Sequence, residues 1–241
     1  MNVTVVYGTQ RHGSTWHTAQ LLLSALAARE PLELTEFTLP RDMPHFCAGC
    51  SSCFARGENA CPHAASVQPI AAALEAADVV VLCSPTYVYD VCGSLKALLD
   101  HLAYRWMPHR PSPGLARAVG VGLCTTAGGG ARRTLGTIRK SLTFWCCRRV
   151  FTFGKPVAAV DWEGVSPKNR TFIEHRMRAL AEKILRARWK GPRLSTRFLF
   201  GIMKKVQQRF SWNPTDHAYW ESLGYFSGRN PWTSEPEPNR S

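Results

Sequence analysis

The sequence predicts an α/β fold: a doubly wound parallel sheet of five strands with helices on both faces, extended at its C-terminal end by a basic helical segment. Three observations predict it. Short β-branched runs alternate with stretches of 3.6-residue apolar periodicity. The runs at 2–7 and 78–83 are apolar almost throughout, as strands covered on both faces are. The runs at 2–7, 78–83 and 116–124 each lead into a loop of small and polar residues that opens a helix.

In order, residues 2–7 (NVTVVY) stop at Gly8 and form a strand, and Ala19, Leu22, Leu23, Leu26 and Ala27 recur at helical spacing over 15–29, closed by Pro31. The unit repeats as a strand at 32–37, a helix at 66–76, a strand at 78–83 and a helix at 93–106. It repeats again as a strand at 116–124, a loop at 125–130 and a helix at 131–146, then a strand at 150–160 and a helix at 167–188. Residues 38–65 are too long for an ordinary connection, and such loops usually carry function. The expected organisation is a sheet domain over 1–165 with that loop inserted, a helical basic extension over 166–230 and a loose tail over 231–241.

A chain of 241 residues, 45% apolar and 20% charged, has the composition of a globular protein and excludes a disordered or collagen-like one. No run approaches the roughly 18 apolar residues of a membrane span, and no basic stretch precedes the first apolar run, so a cytoplasmic location is expected. The net charge of +13 is uneven: residues 166–241 hold 15 basic and 6 acidic side chains, residues 1–165 hold 15 and 11. Nucleic acid is therefore not the expected partner of the N-terminal fold. Leu194, Phe198, Leu199, Ile202, Met203, Val206 and Phe210 recur at helical spacing among Arg193, Arg197, Lys204, Lys205 and Arg209. Such a helix packs on its own core or a second copy, or lies peripherally on an anionic membrane. Trp212, Tyr219, Trp220, Tyr225 and Phe226 follow it closely and are candidates to cover the mouth of a ligand site.

In doubly wound sheets a ligand sits beyond the C-terminal strand ends. The first such loop offers Gly8 and Gly13 for inward-turned amides, hydroxyls on Thr9, Ser14 and Thr15, and the charge of Arg11, ahead of a helix N-terminus: a set suited to phosphate. Ser14 stands where a triphosphate-binding loop needs lysine, and the GxGxxG dinucleotide pattern is absent. After the third strand comes Ser84-Pro-Thr-Tyr-Val leading to Gly93-Ser-Leu-Lys-Ala-Leu-Leu-Asp100, and after the fourth Thr125-Thr-Ala-Gly-Gly-Gly130.

These three motifs, spread over about residues 1–160, resemble those of the flavodoxin-like NAD(P)H-dependent FMN reductases, although the phosphate loop is one residue shorter than their commonest form. The resemblance implies that Thr9, Arg11, Ser14 and Thr15 hold the FMN phosphate, that Pro85, Thr86, Tyr87 and Val88 line the ribityl chain and ring, and that Thr126, Ala127 and Gly128 approach the other ring edge. It further implies a homodimer that passes electrons from NAD(P)H to a small acceptor such as a quinone or nitroaromatic, with no side-chain acid or base required.

Four of the nine cysteines fall in the long loop as Cys47, Cys50, Cys53 and Cys61, spaced C-x2-C-x2-C-x7-C-P. Four thiolates there suit a 4Fe-4S cluster, a closed zinc site or no metal at all. The related iron–sulfur flavoproteins use such a loop for a 4Fe-4S cluster, and other relatives leave it metal-free. Cys83, Cys124, Cys146 and Cys147 are expected as buried small hydrophobes. The eight histidines show no metal or triad spacing, and none is given a role.

Overall fold

A computed structural model of the chain describes residues 1–210 and 213–233. β1 (Asn2–Tyr7) leads to α1 (Ser14–Ala27) and β2 (Glu33–Thr38); α2 (Ser52–Arg56) and a 3-10 turn at Glu58–Ala60 then interrupt the long loop before α3 (Ala64–Ala76) and β3 (Val79–Cys83). A small hairpin, β4 (Thr86–Tyr87) and β5 (Asp90–Val91), precedes α4 (Gly93–His101), α5 (Pro113–Arg117), β6 (Val119–Thr126), α6 (Ala131–Phe144), β7 (Arg149–Pro156) and α7 (Pro167–Ala187). Two further helices, α8 (Leu194–Arg209) and α9 (Pro214–Ser222), follow.

The main sheet runs β2-β1-β3-β6-β7 with every pair parallel, the flavodoxin-like order, whose switch point lies between β1 and β3. The register brings Tyr7 opposite Cys83 and Cys83 opposite Leu123, so the strand ends share one edge. Side chains alternate between faces. Val3, Val5, Val81 and Val121 pack with Leu22 and Leu26 of α1 and Ile173, Met177 and Ile184 of α7. Val6, Val80 and Leu82 pack on the opposite face with Ile70, Leu74, Leu95, Leu98, Ile138 and Leu142 of α3, α4 and α6. Each fully buried side chain of this kind contributes about 1.5–3 kcal/mol. The sheet's helical layer thus continues through α7, past residue 165, and the basic side chains of α7 decorate its outer face.

Three elements differ from expectation, the first being the strand expected over 150–160, which ends at Pro156. The run expected as one strand over 116–124 begins as α5, because Ser112 caps it by accepting the Gly114 amide and Pro113 sits in its first turn. The helix expected over 93–106 stops at His101 and tightens into a 3-10 turn at Ala103–Arg105.

The extension builds a third core in which Phe200, Trp220 and Tyr225 close over Met107, Ala116 and Cys146, so Tyr219, Trp220, Tyr225 and Phe226 pack there and do not cover the mouth of the ligand site. Phe200 stacks on Trp220 with ring centroids 5.0 Å apart, and Trp232 Nε1 donates to the Cys146 carbonyl at 2.8 Å. The docking row of α8 is Thr196, Phe200 and Gln207, flanked by Leu199 and Met203. Of the stripe expected to pack, Leu194 (80%), Phe198 (72%), Ile202 and Phe210 remain exposed. The helix carries two adjacent apolar rows, and spacing alone does not say which row the core takes. Pro231 is buried and Trp232 packs on the third core, so the expected loose tail begins docked; residues 234–241, like Trp212, lie outside the described residues.

Candidate functional site

At the C-terminal strand edge opens a cavity of about 610 Å³, a size usual for cofactor sites. Thr9, Arg11, Ser14 and Thr15 of the first loop, Pro85, Thr86 and Tyr87 of the second, and Thr126 and Ala127 of the third line it together. Val88 and Gly128 do not: Val88 sits 98% exposed at the hairpin tip, and Gly128 is exposed as well. Sequence reasoning missed the fourth wall, residues 157–160, along with Tyr7, Trp16 and Thr125. That wall carries no motif; it forms because the Val157 and Ala158 amides donate to the Thr126 and Ala127 carbonyls (2.9 and 3.1 Å), continuing the β6–β7 pairing beyond the strands.

The first loop is fixed at its root. The Gly8 amide donates to the Cys83 carbonyl at 2.8 Å, and the Gly8 carbonyl accepts from Ser94 Oγ (2.8 Å) and Cys92 Sγ (3.0 Å). Beyond that root, among the described residues, no backbone amide from Thr9 to Trp16 donates to an acceptor. The N-cap of α1 is Gly13, which has no side chain to satisfy them. Orphan amides and the positive end of a helix dipole make an anion site. Ser14 is buried beside them, and the Arg11 guanidinium, on the cavity wall, donates to the Val160 carbonyl. Thr15 Oγ1 lies 2.6 Å from Thr125 Oγ1 and accepts the Thr125 amide at 3.2 Å, which locks the first loop to the third.

The second loop is held from behind. Ser84 Oγ accepts the Cys92 amide at 2.9 Å and donates to the Pro85 carbonyl at 2.7 Å. Thr86 Oγ1 lies 2.9 Å from Thr134 Oγ1, within reach of α6. Gly130, at φ +92, opens α6 where a Cβ would fall 2.6 Å from Thr86 Cγ2. Asp90 accepts from Thr137 Oγ1 (2.8 Å) and Arg133 Nε (3.0 Å), joining the hairpin to α6.

Among the described lining residues the titratable groups are Tyr7, Arg11, Cys83 and Tyr87. Burial pushes the Tyr7 phenol far up, helped by its 2.6 Å hydrogen bond to Glu36 Oε1, and burial likewise raises the Cys83 thiol, so both stay neutral. A cavity with a phosphate cradle at one end and neutral walls fits a phosphorylated cofactor such as FMN, the orphan amides being the donors its phosphate requires.

In the long loop, Cys47 and Cys50 are exposed and Cys53 and Cys61 half-buried, all as free thiols. Burial raises the Cys53 thiol, with Cys61 and Cys47 close enough to add to the shift. Cys50 Sγ lies 3.4 Å from Ser52 Oγ, and the Ser52 hydroxyl and amide, as donors to the sulfur, hold the thiol below its usual pKa. Cys61 also meets two imidazoles: its sulfur and one ring nitrogen each of His63 and His101 lie within 4.8 Å of one another. No spacing rule would find this trio, because His101 lies 38 residues beyond His63, on a different helix.

Comparison with known proteins agrees with this geometry. The family model described as NADPH-dependent FMN reductase matches residues 1–165. An iron-sulfur flavoprotein of Archaeoglobus fulgidus is 28% identical over 102 residues, 42% of this chain and 44% of its own, so the chain spans less than half the length of that relative. A solved NADH:FMN oxidoreductase in its apo form superposes with a TM-score of 0.52 at 21% identity, over 81% of this chain and 93% of its own. An FMN-dependent NADH-azoreductase of Bacillus anthracis in complex with FMN gives 0.54 at 10% identity, over 75% and 99%. At such identities the likeness is one of fold.

Proposed function

Since the chain belongs to the NADPH-dependent FMN reductase family, we propose that it is an FMN-dependent NAD(P)H oxidoreductase delivering electrons to a small acceptor such as a quinone or nitroaromatic. The observation that carries this reading is that Thr9, Arg11, Gly13, Ser14, Thr15 and Trp16, whose amides have no acceptor among the described residues, line a 610 Å³ cavity. When bound, FMN supplies the redox chemistry, taking hydride from a nicotinamide and passing electrons on. The chain's part is to bind and orient. The first-loop amides, Ser14 and Arg11 hold the phosphate; Pro85, Thr86 and Tyr87 bound one side of the slot and Thr126 and Ala127 the other. The Thr15–Thr125 bond keeps the phosphate end and the ring end in register. Val88 and Gly128 stay outside the cavity lining, and a homodimer is part of this reading. The exposed hairpin tip of Tyr87, Val88 and Tyr89 supports such a homodimer. Among the described residues no helix is long and apolar enough to cross a membrane. Nine free thiols accord with the reducing cytoplasm.

A second reading routes electrons through a 4Fe-4S cluster on Cys47, Cys50, Cys53 and Cys61. The loop's spacing and the iron-sulfur flavoprotein relative favour it. Anaerobically purified protein tests the main reading. It should release FMN and not FAD on denaturation; NADH or NADPH should bleach the flavin, and a quinone or nitroaromatic should restore the colour. A flavin that only a protein donor reduces would make the chain an electron carrier instead.

A further inference from the structure

Cys61 and His63 sit on the tight turn that opens α3, where the Ala64 amide donates to the Cys61 carbonyl at 2.9 Å and the Val67 amide to the His63 carbonyl at 3.1 Å. His101 ends α4 and is 4% exposed. The fold brings His63 Nδ1 to 3.1 Å from His101 Nε2, with the Cys61 sulfur inside the same 4.8 Å cluster. His101 Nδ1 lies 2.8 Å from the Ala97 carbonyl one turn back. A carbonyl only accepts, so Nδ1 carries the proton and Nε2 presents its lone pair to the cluster. A ring nitrogen held by a backbone carbonyl while the other faces inward is how proteins orient metal-ligating histidines. The His45 ring stacks on His63 at 4.4 Å and 12°, which fixes the plane of the second imidazole.

We propose that Cys61 Sγ, His63 Nδ1 and His101 Nε2 bind one divalent metal ion of the zinc class. One thiolate and two imidazoles suit a borderline-soft ion in tetrahedral geometry, with solvent in the fourth place. On binding, the Cys61 thiol proton leaves to solvent and the His63 ring proton resides on Nε2, so that three lone pairs face the ion. The ion clips the cysteine-bearing loop and the start of α3 to the end of α4. Because Cys61 cannot serve this ion and a cubane at once, the site competes with the cluster reading, and it depends on neither FMN nor turnover.

The test measures zinc, iron, acid-labile sulfide and FMN in the full chain and in Cys50→Ser, His63→Ala and Cys61→Ser, each also dialysed against zinc or cobalt. The site requires about one zinc per chain, kept by Cys50→Ser and weakened at least about 10-fold by His63→Ala. Bound cobalt should show a near-ultraviolet thiolate charge-transfer band that Cys61→Ser removes. FMN content, unchanged in every variant, reports that the fold survives. About four irons with sulfide, lost in Cys50→Ser and kept in His63→Ala, would overturn the proposal in favour of the cluster. Failure to bind zinc or cobalt with FMN retained would also overturn it, leaving a His63–His101 hydrogen bond. Zinc binding without FMN would sink the reductase reading and leave the site standing.

Discussion

Gly8 has no room for a side chain: a Cβ there would lie 2.4 Å from Cys92 Sγ and 3.0 Å from the Cys83 carbonyl. Gly8→Ala should therefore lower stability by about 1–3 kcal/mol and weaken FMN, read as a lower urea midpoint and a higher flavin dissociation constant. Changing Ser14 and Thr15 together to alanine removes one cradle hydroxyl and the tie to Thr125, so FMN affinity should fall while the chain stays folded; unchanged affinity would refute the phosphate assignment. Asp90 gives a pH dependence. Burial pushes its carboxyl up, but hydrogen bonds from Thr137, the Val91 amide and Arg133 outweigh that and hold it below its usual value. Its stabilisation is thus present above about pH 4, the unfolded value, and is lost as pH falls through the lower folded pKa. For this part-exposed pair the effect is under about 1 kcal/mol, and Asp90→Asn should flatten that part of the acid-unfolding slope. The first-loop, Pro85-Thr-Tyr and Thr126-Ala residues were legible because each follows a strand that ends at the cavity. Residues 157–160 and the His63–His101 pair were not, because pairing beyond a strand end and contacts between distant helices leave no local pattern.

Among elements, α9 is joined to the chain by a buried charge. Asp216, fully buried, lies 3.2 Å from Arg110 Nε and 2.8 Å from His109 Nδ1, and accepts from Asn213 Nδ2 at 2.9 Å. Arg110, 3% exposed, reaches Glu58 Oε2 at 2.6 Å on its other side, so one guanidinium ties α9 to the turn ahead of α3. Asp216→Asn removes one of the two carboxylates facing Arg110, and because Glu58 still faces the guanidinium the loss should be about 1–3 kcal/mol in chemical denaturation. A loss below about 1 kcal/mol would mean that this region is wetter than the geometry shows. Strand and helix alternation was legible throughout the sheet. The start of α5 was not, since Ala116 and its neighbours read equally as strand until the Ser112 cap is seen. For α8, hydrophobic spacing marked the helix and not its buried row, because Phe200 stands beside Leu199 and the choice between them is made by Trp220 and Tyr225.

For the molecule as a whole, a flavodoxin-like sheet supplies a cofactor cavity at one edge, while the C-terminal extension closes a separate core over Met107, Ala116 and Cys146. Truncation after Arg188 should bare that core and strip Arg110 of Asp216, giving aggregation or a lower thermal midpoint with poorer FMN retention. A truncated chain as stable as the intact one would show the extension to be ornamental. The proposed function requires that the first loop read a terminal phosphate. Equilibrium titration of the apoprotein with FMN and with riboflavin, which share the ring and ribityl chain and differ only in that phosphate, tests it most directly. Charge-assisted hydrogen bonds to several amides and Arg11 should make FMN bind at least about 100-fold more tightly, about 2.8 kcal/mol. Equal affinity for the two, or no flavin binding at all, would contradict a phosphate-reading loop.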